Sequence, residues 1–234
     1  MYLAYDIETA ENEQAAAYYD AKEYTPDPAL SPVDQIPSRI LELKSDDLRN
    51  QRAADWKLEQ AAKIETSIQS RRTADRGKAA ISWWTAKIIC ICIEDDQGKR
   101  KTFNNVDERQ LLCDFFATIL ADYYNHTLIG KSSEDFDKPF VVGRALFHNI
   151  GLIPHFRTRD EITDVNQIFG HKGNSQITSL ANYAWGFALG SKGGKGSDVG
   201  DWYKAGLHDV IADYCAQDVS LVSQILKRWR TSFG

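Results

Sequence analysis

The sequence predicts a mixed α/β domain, a sheet of parallel and antiparallel strands flanked by helices, with a largely helical insertion after the first strand. Three observations support this fold class. An apolar run at residues 2–9 predicts a strand, a second run at 86–93 leads through an acidic turn into a hairpin, and later segments carry the apolar spacing of helices. A chain of 234 residues can bury a substantial core. We therefore expect one domain over residues 1–234, with the insertion at about 11–85.

The first strand ends in two carboxylates, Asp6 and Glu8. Side chains alternate along a strand, so these two lie on the same face. Neighbouring anions at the end of a buried strand repel each other unless a cation lies between them. Oxygen ligands suit a hard divalent cation such as Mg²⁺ or Mn²⁺. The alternative is an Asp-x-Glu pair that faces solvent at the strand edge by chance.

The insertion begins with a proline-rich excursion and continues as a helix. Four of the six prolines lie between residues 26 and 37, and a helical pattern runs from about 38 to 70 with a break and helix start at 45–47. Basic residues there include Arg71 and Arg72. A solvated helix face is their ordinary explanation, and phosphate contact is the alternative. The tryptophans present the same choice between packing and base stacking; they are Trp56, Trp83 and Trp84.

The later elements follow in order along the chain. We expect a helix at 107–122 with a stripe from Leu111 to Leu120, a strand at 127–130, helices at about 137–149 and 178–186, a glycine-rich loop at 190–200, and a last helix at about 207–230 with a break near Asp213.

Composition limits the partners and the cellular location that we expect for the protein. The formal net charge is -5, which gives no indication of nucleic-acid binding. This is weak evidence against such binding, because acids clustered in a metal site add to the negative charge and a bound metal reverses it locally. No apolar run is long enough for a membrane helix, and the N-terminus lacks a basic segment followed by an apolar stretch. No Cys-x-x-Cys spacing occurs, and Cys90 and Cys92 share a strand face as packed thiols. We expect a cytoplasmic protein with no membrane partner.

Two later acids are placed in the sequence where they could serve as ligands of the same metal site. Asp137 follows the strand at 127–130 and starts a helix, so it suits an N-cap as well as a ligand, and Asp135 is its rival. Asp218 lies four residues after Tyr214, on the same face of a helix, where a phenol and a carboxylate can hold a water beside a metal. An exposed helix pair is the alternative.

Three motifs together resemble the DEDDy 3′-5′ exonucleases, whose fold is RNase H-like. They are Y-D-I-E-T at 5–9, D-F-D-K-P-F at 135–140 and Y-C-A-Q-D at 214–218, in the order of that family. The segments at 194–195 and 203–206 resemble the stand-alone exonucleases related to the proofreading domain of family B DNA polymerases. The resemblance covers residues 1–10 and 86–230.

Two positions refine the resemblance. The sister class has a histidine five residues before the last acid, whereas this chain has Asp213 there and its His208 is ten residues away from Asp218. The tyrosine class is therefore the better match. The family often has an asparagine five residues before the middle acid, where this chain has Ser132. That departure concerns how a nucleotide is held, and the four acids are unaffected.

The resemblance implies a site and a reaction. Asp6, Glu8, Asp137 and Asp218 would bind two Mg²⁺ or Mn²⁺ ions about 4 Å apart, and Tyr214 would orient the attacking water. Nucleoside 5′-monophosphates would leave the 3′ end of DNA, single-stranded DNA above all. A replication or repair protein is a further candidate partner, in a bacterial or phage-encoded setting. The residues expected to contact nucleic acid are Thr9, Ser132, Phe136, Lys192, Lys195, Arg71 and Arg72.

Three other functions remain open from the sequence. A 3′-5′ exoribonuclease of the same fold would differ in how it accommodates the 2′-hydroxyl. A non-catalytic module that binds nucleic acid or a polymerase would have no need of four acids, and it would bind no metal. The first strand also resembles the nucleophile motif of haloacid dehalogenase-type phosphatases, which leaves Tyr214 and Asp218 without a role.

Overall fold

The computed structural model describes residues 1–156, 163–169 and 178–232, with the side chain of Ala16 excepted. Two compact units divide the chain: one contains residues 1–15 and 80–234, and the other contains residues 16–79. The helices are α1 (Ala15–Ala21), α2 (Ser38–Leu41), α3 (Asp46–Arg76), α4 (Glu108–Asp122), α5 (Asp137–Phe147), α6 (Val165–Ile168), α7 (Leu180–Gly186), α8 (Val199–Lys204) and α9 (His208–Ser232), and the short 3₁₀ turns are Ala79–Ile81, Pro154–Phe156 and Gly196–Asp198.

The larger unit is built on a four-stranded mixed sheet, in the order β3-β2-β1-β4. Its strands are β1 (Tyr2–Glu11), β2 (Ala86–Asp95), β3 (Arg100–Phe103) and β4 (Thr127–Ile129). β1 pairs antiparallel with β2 and parallel with β4, while β2 and β3 form the expected hairpin. β1 is thus a central strand, which explains why nearly all of its residues are buried.

Each face of the sheet carries its own core. The odd-numbered residues Leu3, Tyr5 and Ile7 of β1 pack with α4 and α5, whereas the even-numbered Ala4 and Ala10 pack with α7 and α9. The two thiols of β2, Cys90 and Cys92, lie together in the second core, as their alternation predicted. Asp6 and Glu8 belong to the even-numbered set, so their side chains point toward the α9 face.

The predicted helices are confirmed, with some shifted ends. Two details of the prediction are wrong, one in α4 and one in α9. Asp107 caps α4 by accepting from the backbone N–H groups of Arg109 and Gln110, and the stripe is buried except for Leu120, which is exposed. The last helix runs unbroken through Asp213, so the predicted break there is wrong. An aspartate lacks the backbone effects of proline or glycine, and Asp213 simply faces solvent.

The unit at 16–79 is held mainly by polar contacts. Ser45 caps α3 as the sequence predicted, and Gln60 is the buried residue of this long helix. Gln60 donates to the carbonyl of Ser31, and the backbone N–H of Asp27 donates to the hydroxyl of Ser67. The residues before α2 therefore lie along α3. Treating 1–234 as a single domain with an insertion stays a prediction.

Candidate metal centre

The strand β1 presents Asp6 and Glu8 at a local irregularity of the sheet. The pairing of β1 with β2 shifts between Glu8 and Thr9, so that Glu8 lies opposite Cys90 while Thr9 lies opposite Ile88. A β-bulge of this kind re-aims the side chains around it and is frequent next to active sites. Glu8 is only 8% exposed. The two carboxylates are therefore set at the edge of the core, with limited contact with water.

Helix α9 brings a third acid and a thiol to the same place. Asp218 is 5% exposed, and the Sγ atom of Cys215 lies 3.6 Å from the carbonyl oxygen of Asp6 and 3.8 Å from its Oδ2. One donor atom from each of Asp6, Glu8 and Cys215 lies within 4.8 Å of the others. Acids more than 200 positions apart in the sequence thus meet because α9 packs against the central strand.

Helix α5 supplies the fourth acid. Asp137 is 2% exposed, and its Oδ1 accepts a hydrogen bond of 3.2 Å from the backbone N–H of Ile7, the residue between Asp6 and Glu8. The helix cap is Phe136, so the interpretation of Asp137 as an N-cap is wrong. Its side chain makes a tertiary contact with β1 instead of a local N-cap hydrogen bond. Asp135, the rival candidate, is exposed.

The four acids are mutually destabilising when ionised. Burial, followed by the charges of Glu8, Asp137 and Asp218, raises the pKa of Asp6 well above its usual range. Burial and the charge of Asp218 raise the pKa of Glu8 to about 8. Burial raises the pKa of Asp137 to about 7, although the hydrogen bond from the Ile7 backbone lowers it. Burial also raises the pKa of Asp218. The group therefore retains protons at neutral pH unless a cation offsets its charge.

Lys192 lies in this group. Its ammonium forms an ion pair of 2.6 Å with Oδ2 of Asp218 and lies 4.7 Å from the centre of the Tyr214 ring. Two glycines allow the loop to pack closely against α8 and α9: a Cβ at Gly193 would clash with the side chain of Gln217 on α9, and one at Gly194 would lie 2.7 Å from the Trp202 ring on α8. The residue predicted to contact phosphate is therefore placed against a candidate metal ligand.

The donor set fits a hard divalent cation. Four carboxylates supply oxygen ligands, and Oδ1 of Asp218 is buried with no hydrogen-bond partner among the described residues. A buried carboxylate oxygen without a partner is costly, and a metal ion would satisfy it. Asp6, Glu8, Asp137 and Asp218 are the residues that would hold Mg²⁺ or Mn²⁺. Cys215, whose Sγ lies within 4.8 Å of donor atoms of Asp6 and Glu8, adds a softer donor to the group.

Tyr214 lies beside the four acids, and its role in a site stays a prediction. It is 4% exposed, and its hydroxyl interacts with the carboxylate of Asp218, one helical turn later. Burial and the charge of Asp218 raise the pKa of Tyr214 above its usual value. The phenol therefore stays protonated, and it can orient a water or a phosphate oxygen beside the acids.

The residues predicted to contact nucleic acid differ in what they contact within the protein. The hydroxyl of Thr9 donates to the carbonyl of Ala80, Phe136 packs on Phe140, and Lys195 is exposed on the glycine-rich loop. In the unit at 16–79, Arg71 donates to the carbonyl of Thr25 at 3.3 Å and Arg72 lies over the Tyr24 ring at 5.5 Å. Their roles in binding stay predictions.

Ser132 adopts a left-handed backbone conformation with φ of 60°. This region costs a residue with a Cβ roughly 1–2 kcal/mol. Asp164 stabilises it: its Oδ1 accepts from the N–H of Ser132 at 3.1 Å, and its Oδ2 accepts from that of Glu134 at 3.4 Å. The β4–α5 loop, residues 130–136, is thus fixed to the N-terminus of α6.

Sequence reasoning missed three residues around the acids. Cys215 lies three positions before Asp218 on the same helix face, a spacing that could have indicated it. Asp164 and Lys131 gave no comparable signal, because their relation to the site depends on the bridge between Gly130 and Asp164 beside the sheet.

Replacing Lys192 by methionine should strengthen Mn²⁺ binding to the protein about tenfold. The ammonium competes with a metal for Asp218, and a tenfold change corresponds to about 1.4 kcal/mol. Isothermal titration calorimetry measures this directly. Lys195→Met removes the same charge from an exposed position of the same loop and should leave the affinity unchanged. Equal affinities of the Lys192 variant and the parent would show that the ion pair does not oppose metal binding.

No helix in the described ranges is long and apolar enough to cross a membrane. No protein-family model and no curated protein matches the sequence. In structure, the chain is similar to the family B DNA polymerase from the hyperthermophilic archaeon Pyrobaculum calidifontis, with a TM-score of 0.54 and 13% identity. The match covers 96% of this chain and 24% of the polymerase chain. This likeness confirms the predicted fold class: a mixed sheet flanked by helices, compatible with an RNase H-like fold.

Proposed function

We propose that the protein is a metal-dependent 3′-5′ exonuclease that releases nucleoside 5′-monophosphates from DNA, preferring single strands. One observation carries the proposal: four acids from β1, α5 and α9 converge, three of them buried and Asp6 partly buried, and one of their oxygens has no partner among the described residues. The fold likeness to a family B DNA polymerase and the DEDDy motifs agree with a nucleic-acid substrate.

Each side chain of the site has its own role in the proposed reaction. Asp6, Glu8, Asp137 and Asp218 would hold two Mg²⁺ or Mn²⁺ ions, which would supply an activated water and stabilisation of the leaving 3′ oxygen. Tyr214 orients the attacking water with its hydroxyl. Lys192, which pairs with Asp218 here, would be free to contact phosphate if a metal ion took its place on that carboxylate. We also infer a reducing cytoplasmic setting, in which the free thiols remain unpaired.

The test uses a single-stranded DNA oligonucleotide labelled at its 5′ end, with Mg²⁺ or Mn²⁺. The label should pass through a ladder of shortening fragments while 5′-mononucleotides accumulate, and chelation by EDTA should stop both. RNA and duplex DNA of the same sequence serve as parallel substrates and measure the preference. An intact substrate with both metals, or products that carry a 3′-phosphate, would refute the proposal.

A further inference from the structure

Lys131 is a cation near the acids that the proposed reaction does not use. It lies two residues after the end of β4, in the loop that leads to Asp137. Its side chain is half-buried, and it forms no ion pair with any residue in the described parts of the chain. Its Nζ instead donates a hydrogen bond of 2.6 Å to the hydroxyl oxygen of Ser132.

The charges around Lys131 locate it on the side of the acids. Burial lowers the pKa of Lys131, while the charges of Asp164 and Asp137 raise it and that of Lys192 lowers it further. The ammonium therefore lies within electrostatic reach of one candidate metal ligand and of the lysine that pairs with another. A desolvated ammonium with a neutral hydroxyl as its partner is incompletely stabilised.

Within the part of the chain that the structure describes, the Ser132 hydroxyl has an unused donor. Its oxygen already accepts from Lys131 and, at 3.3 Å, from the side-chain amide of Asn166, which is held by the hydroxyl of Tyr183 at 3.2 Å. A serine hydroxyl offers two acceptor sites and one donor, and no described residue accepts from this O–H, which leaves it able to donate. The Lys131 ammonium also has two donors beyond the one that Ser132 uses. Adjacent free donors, one of them charged, favour an anionic oxygen.

This donor pair is held in place. The backbone N–H of Ser132 bonds to Asp164, and the left-handed conformation at Ser132 is kept by that bond. Strain that the surroundings maintain is typical of functional positions, where it pre-organises a contact. Every nucleotide of a nucleic acid presents a phosphodiester anion, so the proposed substrate provides the missing partner.

We propose that Lys131 and Ser132 form a phosphate-binding subsite of the β4–α5 loop, which holds an uncleaved phosphodiester of the strand whose 3′ end lies at the four acids. The inference rests on the proposed function for the identity of the anion. Lys131 is a positioning residue here, since it touches the strand away from the reacting atoms.

The first experiment measures binding of a single-stranded DNA oligonucleotide by fluorescence anisotropy, with Ca²⁺ in place of Mg²⁺ and over a range of salt concentrations. For Lys131→Met, the slope of log affinity against log salt should fall by about 0.7, the value for one phosphate of a single strand. Lys131→Arg should restore the slope. The matched control is Lys101→Met, which removes an exposed lysine from β3 and should not change the slope.

The second experiment changes the substrate instead of the protein. Neutral methylphosphonates are placed at one linkage at a time, and a single internal position should weaken binding to the parent protein about tenfold. Lys131→Met should be insensitive at that position, and in the cleavage assay it should raise KM while kcat stays unchanged.

Unchanged salt slopes, or a variant as sensitive as the parent at every linkage, would overturn the subsite. A parent protein that binds DNA in this pattern but cleaves nothing with Mg²⁺ or Mn²⁺ would refute the exonuclease and leave the subsite standing.

Discussion

Replacing Asp218 by asparagine should lower the rate of Mg²⁺-dependent nucleotide release by about a thousandfold, which corresponds to about 4 kcal/mol of lost transition-state stabilisation. The substitution preserves shape but removes a charged ligand whose Oδ1 is buried and unpartnered in the described structure. It also removes a buried anion from a repulsive group, so the folded protein should be retained. Single-turnover release of labelled mononucleotide measures the effect.

Asp213→Asn is the matched control for this experiment. Asp213 lies on the same helix five residues earlier but is exposed, so the same chemical change there should leave the rate within about twofold of the parent. A rate of the Asp218 variant within a few-fold of the parent, with circular dichroism unchanged, would remove Asp218 from the mechanism.

The second prediction concerns stability against pH in the metal-free protein, which should decrease as the pH rises from about 5 to about 8. Burial raises the pKa of Glu8 from 4.5 to about 8 and that of Asp137 from 3.8 to about 7. Between these values the folded protein keeps protons that the unfolded chain has lost, so stability falls with increasing pH. Each such proton contributes a slope of up to about 1.4 kcal/mol per pH unit.

Urea unfolding at several pH values, with EDTA and with Mg²⁺, separates this effect from other titrations. Bound metal keeps the acids ionised and paired, so the decrease with EDTA should largely vanish with Mg²⁺. The Glu8→Gln variant should show a shallower decrease in EDTA than the parent. Identical profiles with and without Mg²⁺ would argue against a repulsive acid group relieved by a cation.

Local patterns predicted the elements of the sheet unit well. Strict alternation in β1 was enough to place Asp6 and Glu8 on one face, because a strand has only two faces. The four-residue spacing of Tyr214 and Asp218 likewise placed both on the buried side of α9. These predictions depend on backbone periodicity alone, which the sequence specifies directly.

Tertiary contacts account for what the sequence did not reveal. The bond from Ile7 to Asp137 joins residues 130 positions apart, and no local pattern distinguishes it from a helix cap. The ion pair of Lys192 with Asp218 depends on the close packing of Gly193 against Gln217, and the glycine-rich composition alone predicted only a loop. The β-bulge after Glu8 is a further feature of pairing that the sequence of one strand cannot specify.

Anomalous diffraction from crystals soaked in Mn²⁺ tests most directly whether these acids form a metal centre. Peaks enclosed by the carboxylates of Asp6, Glu8, Asp137 and Asp218, with Lys192 displaced from Asp218, are the expected result. Well-ordered crystals in which Lys192 still pairs with Asp218 and no manganese lies among the four carboxylates would contradict the account.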